Sequence, residues 1–521
     1  MPVQPVHTIA VLGTRHLPLH NERQSSKGGF SLDWREEYKK RLASADDAMR
    51  VVNAGDLVMI PIAGPRTLQG ALYRRAKETG PIDLRLTAPL TDPGWIRGQS
   101  AELFRMEFEL FIGDYGRQAT DEARATYLPN LFSLTFKDQD DGRGEDRQAD
   151  VFLTSVTPPD DEGYVQFGAH NWNKRMYVRH ARQTIAEVDP GLRPVCGDNR
   201  IHVSEFTHFV DVPAVEITRP MVDAWLKRVE DQALKAEYES IVEDLKGDLE
   251  RLIVIGPAMT RVPPIQVRRT LGIAPPPDIA RTIAGFVGEI LPDGATIQVG
   301  VGEPSMYLAV AGAFDRKRDL GLHTEMVAPG IAKLVESGII NGSRKPIHTG
   351  KAVAVAWSGG DSDDLKIVTN NPKFEVYDPS YVLDLRVMSQ NDNLHSLNNA
   401  IAIDLIGQIN SESVFGSRLI NGTGGQPETH MSAVLSKGGR AITMLPSTAM
   451  SGAISRVVAT HEAGTTVTVP RYFADTIVTE HGVARLWGKN HRQRAQELIA
   501  VAHPDFRAEL RAEASRMLGQ W

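Results

Sequence analysis

The residues whose types could do chemistry gather in two glycine-rich stretches. The first, Ala295 to Gly330, reads ATIQVGVGEPSMYLAVAGAFDRKRDLGLHTEMVAPG. A short apolar run, Ala295 to Val299, is interrupted by Gln298 and ends in Gly300-Val301-Gly302, followed by Pro304-Ser305. A second run, Leu320 to Met326, carries Glu325 among residues expected to be buried at a strand end. Glutamate is almost never fully buried unless it is paired or working. The carboxyl end of a parallel strand is also where open α/β sheets bind ligands. Glu325 is therefore the leading candidate for chemistry. A glutamate facing solvent on a loop just past the strand would look the same in sequence.

The second stretch, Asn421-Gly422-Thr423-Gly424-Gly425-Gln426, places three glycines in four positions between an apolar strand and a small-residue helix. Glycines let a backbone approach a ligand and leave N–H groups free to face anions or developing oxyanions. The Gly300-Val301-Gly302 loop lacks the third glycine of the dinucleotide fingerprint, and no acidic residue sits convincingly about 20 residues on at a second strand end. There is no GxxxxGK[ST], which argues against a phosphate-cradling nucleotide loop, and no GxSxG elbow, which argues against a hydrolase of the serine type. His323, His395, His430, His481 and His503 are scattered without HExxH or another ligand spacing, so no metal site is expected.

The elements that must position these residues follow from length and pattern. A chain of 521 residues is too long for one core and predicts two or more domains. Its apolar content of 41% and charged content of 24% are those of a soluble globular protein. A net charge of -7 argues against nucleic acid as a partner, whose binding footprint is basic. The single cysteine, Cys196, excludes an internal disulfide and fits a reducing compartment. MPVQPVHTIAVLG has no basic region ahead of its apolar run, and no apolar run reaches about 18 residues, so neither signal peptide nor membrane span is expected. A cytoplasmic enzyme is the expectation.

Along the chain, Thr8–Gly13 reads as a strand, Asn21–Gly29 as part of a polar arm, and Trp34–Val52 as one or two helices. Strand LVMIP within Asp56–Pro61, the Ala63-Gly64-Pro65 turn, helix Arg66–Glu78 and strand Asp83–Leu90 alternate as βαβ units do, predicting a parallel sheet. Phe104–Gly113 and Thr126–Thr135 are further apolar segments. Lys137–Gln148 reads as a charged loop, Val151–Val156 as a buried strand, Arg175–Val188 as a helix and Ile201–Ser204 as a short strand. Arg219–Leu252 reads as amphipathic helices laid outside a domain, and Arg261–Pro277, with five prolines, as a linker. From Asp278 alternation resumes. Helix Ile279–Ile290 is followed by a buried helix over Ser305–Phe314 and strands at Ala352–Trp357 and Lys366–Thr369. Asn391–Asn410 is asparagine-rich and then becomes an apolar strand containing Asp404. Helix Thr429–Ser436, strands Arg440–Leu445, Thr465–Val469 and Asp475–Thr479, and surface helices Arg492–Val501 and Phe506–Leu518 complete the reading. The expected divisions are 1–217, a helical insertion and linker at 218–277, and 278–521.

Taken together, PPDDEGYVQFG (158–168), IAEVDP (185–190), GDNRIHVS (197–204), IQVGVGEP (297–304), LGLHTEM (320–326), IDLIGQINSE (403–412), NGTGGQ (421–426), LPSTA (445–449), TEHGVARLWGK (479–489) and IAVAHPDFRAEL (499–510) resemble the acetyl-CoA hydrolase/transferase family, which includes 4-hydroxybutyrate and acetate CoA-transferases. The resemblance implies an α/β fold of two tandem CoA-transferase domains with parallel-rich sheets and an active site between them. It implies that Glu325 attacks an acyl-CoA thioester, forming an acyl-glutamyl anhydride and then a glutamyl-CoA thioester, with ping-pong kinetics. Gly425 matches the glycine that stabilises the oxyanion. Gly300, Val301, Gly302, Glu303 and Pro304 match the loop bordering acyl group and CoA, and Ile401, Asn421 and Gly424 match further CoA-binding positions. Coenzyme A enters as a substrate, with no tightly bound cofactor, and a free carboxylic acid is the second substrate. A homodimer is expected. Acyl-CoA hydrolysis and a catalytically silent CoA-binding protein are the alternatives.

The chain departs from the family's patterns in three places. GGQ-x-DF becomes Gly424-Gly425-Gln426-Pro427-Glu428-Thr429-His430, which should reshape the channel wall. Leu383 stands where an asparagine near the glutamate is common, leaving Asn391 or Asn393 as candidate polar partners. Met450 stands where some members carry a lysine near CoA.

Overall fold

The computed structural model describes residues 33–62, 64–87, 99–357 and 362–519. The strand expected at Thr8–Gly13, the polar arm, Ala63 and the end of the Asp83–Leu90 strand lie outside the described residues.

Runs such as Leu57–Ile60, Val151–Val156 and Ala352–Ala356 are buried at every position. Strands covered on both faces cannot alternate polar and apolar residues, which is the signature of parallel sheets packed between helices. Two such sheets form the frame. The first has seven parallel strands in the spatial order Ala125–Tyr127, Phe104–Phe108, Ile82–Leu86, Leu57–Ile60, Val151–Val156, Gln183–Val188 and His208–Asp211. The second has eight strands in the order Phe374–Val376, Ala352–Ala356, Gly321–Met326, Thr296–Val299, Leu394–Asn399, Arg440–Met444, Thr476–Thr479 and Gly482–Arg485, parallel except for the last.

Both sheets are doubly wound. The chain builds one flank outward from a central strand, then returns to that strand's other side and builds the second flank. In the second sheet the order reverses between Thr296–Val299 and Leu394–Asn399. Loops leaving two such strands diverge to opposite faces and open a crevice at their carboxyl ends. The Gly300-Val301-Gly302 loop leaves the sheet at this switch point, and Glu325 is the penultimate residue of the adjacent strand.

The halves dock at close range. Ile62, Leu110, Phe132 and Trp172 of the first half share one buried cluster with Val353, Val355, Val382, Leu383 and Ala433 of the second. The segment around His170 bridges to Ala356 in antiparallel register, with the Asn171 N–H donating to the Val355 carbonyl at 3.2 Å. Arg418 pairs with Asp121 at 2.7 Å, and the Thr423 N–H donates to the Tyr127 hydroxyl at 2.7 Å. Gly422 lies so close to the first half that a Cβ there would sit 2.1 Å from the Leu110 carbonyl oxygen.

Several elements differ from their sequence reading, each for a local reason. Lys174–His180 is a helix, but Gln183–Val188 is a strand, because Thr184, Ile185 and Val188 favour the pleat and fill both buried faces. Ser362–Val368 is a helix rather than a strand, opened by Asp363 and Asp364 at its positive end. Ser305–Tyr307 makes only one tight 3-10 turn before Gly312 takes a left-handed φ of 81°. The strand near Asn391 is Leu394–Asn399, the asparagine-rich part itself, followed by the short Ala402–Asp404. Val469 forms a lone bridge to Ile409 instead of a strand. Lys137–Asp141 of the charged loop is helical.

Helices Arg219–Leu226 and Gln232–Asp244, with Pro264–Thr270 from the proline-rich stretch, close around Val222, Trp225, Tyr238, Ile241 and Met259, so this segment carries a small core of its own. The two C-terminal helices bury Leu498, Ile499, Leu510 and Ala514 in a core and are not merely surface helices.

Replacing Gly422 with alanine should force the glycine loop away from Leu110. We expect a cost of about 1–3 kcal/mol, the usual range for overpacking, read as a fall in Tm of several degrees by differential scanning calorimetry.

Candidate active site

Glu325 stands near the carboxyl end of strand Gly321–Met326, where all but the last position is buried. Its side chain is 8% exposed. The Gly425 N–H donates to Glu325 Oε2 at 3.0 Å. A Cβ at Gly425 would lie 2.1 Å from that oxygen, so only glycine allows the carboxylate to rest against this amide. Its φ of -82° is accessible to any residue, so space and not backbone conformation requires the glycine. Gly425 immediately precedes helix Gln426–Leu435, whose first-turn N–H groups and dipole favour negative charge nearby.

Burial pushes the Glu325 carboxyl up to about 8; the nearby Glu428 adds to the rise, and the Gly425 N–H opposes it. Glu428, on the first turn of the same helix, is also buried and pushed up to about 7 by burial. It reaches the first half, accepting the Ser133 N–H at 2.9 Å and the Phe132 N–H at 3.2 Å. The acid of the GGQ-x-DF pattern is thus retained as a glutamate one methylene longer, while threonine replaces the phenylalanine.

Leu383 is fully buried, and its Cδ1 lies 3.4 Å from the ideal Cβ position of Gly425. It forms an apolar wall where a polar partner was sought. Asn391 and Asn393 do not fill that role: both precede strand Leu394–Asn399, at the amino ends of the parallel strands, whereas Glu325 lies near the carboxyl end of its strand. The Asn391 side chain donates to the Met388 carbonyl at 3.1 Å.

Asparagines at the other end of that strand organise the site. Asn399 accepts the Ser305 N–H at 2.9 Å and donates to the Val301 carbonyl at 3.2 Å. Its own carbonyl accepts from Gln426 Nε2 at 2.9 Å. One residue therefore links both glycine loops. Beneath it Asn398 and Gln298 exchange side-chain hydrogen bonds at 2.9 and 3.2 Å, and Asn398 also donates to Thr429 at 3.0 Å. His430 sits 3.3 Å from Asn398 and 2.8 Å from Thr443 Oγ1, and burial pushes its imidazole down to about 4, so it is a neutral structural hinge pin. Sequence reasoning missed this set. The available signal was amide residues recurring at carboxyl ends of apolar strands that flank a glycine loop.

The remaining candidate residues each have a definite local setting. Gly300 packs under Asn398, where a Cβ would lie 2.6 Å from the amide oxygen. Gly302 takes a φ of 113°. Val301 is exposed, Glu303 is exposed and ion-paired with Arg269 at 2.8 Å, and Pro304 is buried. Gly424 takes a left-handed φ of 61° with the Phe111 ring opposite. Ile401 and Asn421 are half-buried and held through their backbone N–H groups to Asn410 and Glu412. Met450 is 65% exposed at a hairpin turn. Among the described residues no cluster of three or more His, Cys, Asp or Glu could hold a metal ion, and no helix is long and apolar enough to cross a membrane.

Residues 22–245 match the acetyl-CoA hydrolase/transferase N-terminal domain, and residues 360–514 match the C-terminal domain of the same family. The chain is 32% identical to 4-hydroxybutyrate coenzyme A transferase of Clostridium kluyveri, over 92% of this chain and 99% of the relative. It is 30% identical to succinyl-CoA:cyclohexane-1-carboxylate CoA transferase of Geobacter metallireducens, over 93% of this chain and 97% of the relative. The crystal structure of RipA from Yersinia pestis superimposes with a TM-score of 0.73 at 26% identity, covering 94% of this chain and 100% of that one. That of 4-hydroxybutyrate CoA-transferase from Porphyromonas gingivalis gives a TM-score of 0.64 at 26% identity, covering 93% and 100%. With twin doubly wound sheets, a buried glutamate against a glycine amide and relatives matched over nearly their whole length, the chain belongs to the acetyl-CoA hydrolase/transferase family.

Proposed function

We propose that the protein moves CoA from an acyl-CoA to a free carboxylic acid through a covalent intermediate on Glu325. It is an enzyme of the carboxylate CoA-transferase class, acting between acyl-CoA and acids. The observation that supports the covalent route is the Glu325 carboxylate, buried and held by one backbone N–H.

A carboxylate is a weak nucleophile in water, where hydration stabilises its charge. Burial removes that hydration and raises its basicity, and placement against the thioester supplies the rest. The Gly425 N–H holds Oε2, which leaves Oε1 free to attack. Oε1 forms a bond to the thioester carbonyl carbon, the C–S bond breaks, and the electron pair departs on the CoA sulfur. The thiolate then attacks the glutamyl carbonyl of the anhydride. The oxygen that becomes negative in that step is Oε2, already facing the Gly425 amide, so one donor serves first as orienter and then as oxyanion hole. The free acid leaves, Glu325 carries CoA as a thioester, and an incoming carboxylate reverses the sequence. The apolar wall at Leu383 keeps water from the anhydride.

Glu325→Gln should lower CoA transfer by about 10³-fold or more, as loss of a nucleophile does, while the protein stays folded. Incubation with acyl-CoA alone should add CoA to Glu325, visible by intact mass or trapped by borohydride. An unmodified chain under turnover conditions would overturn the covalent route. Release of CoA without any acceptor acid, at the rate seen with acceptor, would assign hydrolysis instead.

The nucleophile must be ionised, so kcat/KM should fall below an acid limb lying near pH 8, far above the ordinary carboxylate range. The same burial opposes folding. In the unfolded chain Glu325 ionises at its ordinary value of 4.5, while in the folded chain it holds its proton up to about 8. Stability is therefore lost as pH rises from the lower value to the upper, and the deficit is complete above about 8. Glu325→Gln should remove that deficit: its Tm should exceed that of the native chain increasingly from pH 5 to pH 8, by several degrees at the upper end.

Gly425→Ala should displace the Glu325 carboxylate and lower kcat by about 10²-fold, the usual cost of losing an oxyanion donor, with less effect on CoA affinity. Unchanged kcat would exclude the amide from the reaction.

A further inference from the structure

A second buried carboxyl group sits three residues beyond Gly425, on an element that also joins the two halves. It belongs to Glu428, on the first turn of helix Gln426–Leu435. Its residue is fully buried. Oε1 accepts the Ser133 N–H at 2.9 Å and Oε2 the Phe132 N–H at 3.2 Å. Phe132 and Ser133 open the 3-10 turn Phe132–Leu134 of the first half, and Phe132 itself is buried in the shared cluster with Trp172 and Leu383. Two oxygens of one carboxylate thus satisfy two adjacent backbone donors across the domain boundary, which favours the ionised form against the burial that pushes this carboxyl up to about 7.

The charged groups around this pair come from four elements. Glu428 acts on Glu325 from the helix. Asp384, at the start of the turn Leu385–Met388, acts on Glu428 and is itself paired with Arg386. The Ser133 hydroxyl and amides face Glu428 from the first half. On the Glu325 strand, His323 is buried, with its Nε2 2.8 Å from the Val382 carbonyl, and burial holds it neutral at about 3. The rise in the Glu325 carboxyl comes first from burial and then from Glu428, and the Gly425 N–H opposes it.

We propose that Glu428 is a positioning residue for acyl transfer: it fastens residues 132–133 of the first half to the helix beginning beside Gly425, and its negative charge faces the Glu325 carboxylate. Two negative carboxylates close together repel in a low-dielectric site. When Glu325 Oε1 bonds to the acyl carbon and the C–S electron pair leaves on sulfur, the negative charge moves from Glu325 to the thiolate. The acylated Glu325 is neutral and the repulsion ends. The repulsion therefore raises the free energy of the resting nucleophile without raising that of the anhydride or the glutamyl-CoA thioester. The same residue makes this drive conditional on closure of the two halves, since its ionised form depends on the Phe132 and Ser133 amides.

This inference rests on Glu325 being the nucleophile, and the experiment separates the two. The native chain, Glu428→Gln and Glu428→Asp are each mixed with acetyl-CoA alone, and the rate of CoA adduct formation on Glu325 is followed by intact mass across a pH series. In the native chain the adduct should form with its half-maximal rate near the raised Glu325 value. Glu428→Gln keeps the size and loses the charge; its half-maximal pH should fall by about one unit, and its plateau rate at high pH should fall about ten-fold. Glu428→Asp keeps the charge and shortens the reach; its half-maximal pH should stay with the native chain while the plateau falls.

A tie without an electrostatic role would lower the plateau of both variants equally and leave both midpoints unmoved, and that result overturns the inference while leaving Glu325 as nucleophile. Loss of the adduct in the native chain overturns the reading of Glu325 itself. Should Glu428→Gln not fold, a midpoint for Glu428→Asp displaced downward by a full unit would equally overturn the proposal.

Discussion

The structure depends on a carboxylate buried near a strand end against a glycine amide. Glu325 accepts from the Gly425 amide at 3.0 Å, set against burial and the neighbouring Glu428. A buried charge of this kind is costly unless compensated. The rest of the site reads as the means of holding that unfavourable arrangement in place. Gly425 has no Cβ because the carboxylate occupies the space. Leu383, fully buried, packs apolar atoms against the same glycine. The amide string Gln298–Asn398–Thr429, with His430 and Thr443, anchors the helix that presents the donor.

Twin doubly wound sheets explain how such a site can be assembled from distant sequence. In the second sheet, the switch point between Thr296–Val299 and Leu394–Asn399 opens the crevice, and the adjacent Gly321–Met326 strand delivers Glu325 to its rim. The first half supplies walls and ties rather than the nucleophile: Phe132, Ser133, Leu110 and Tyr127 meet the second glycine loop and its helix. Because Gly422 and Glu428 meet the first half and Gly425 lies between them in the chain, the position of the Gly425 amide is coupled to domain docking.

Much of this was legible in the linear pattern. Strand LVMIP, helix Arg66–Glu78 and the strand from Asp83 alternate as βαβ units do and announced a parallel sheet, and Val151–Val156 read as a buried strand. Glu325 stood out as a charge inside such a run. The glycine clusters stood out because close backbone approach tolerates nothing larger. Failures came where local preference was balanced. Gln183–Val188 continues a helical pattern from Lys174 yet pairs as a strand, since long-range ladder bonds outweigh propensity there. Ser362–Val368 is too short for its period to separate helix from strand.

The sequence by itself determined the strand–helix alternation of an α/β fold and singled out Glu325 and the two glycine loops, because these are properties of neighbouring positions; the two tandem domains and the acyl-transfer roles were what the family resemblance implied. Only the tertiary structure decided which groups meet. The pairing of Glu325 with Gly425, the replacement of a polar neighbour by Leu383, the linking of both loops through Asn399 and the approach of Glu428 to Ser133 all join residues far apart in the chain. Hydrogen bonds and charge repulsion depend on distances of a few ångströms, and those distances are set by how the two sheets dock.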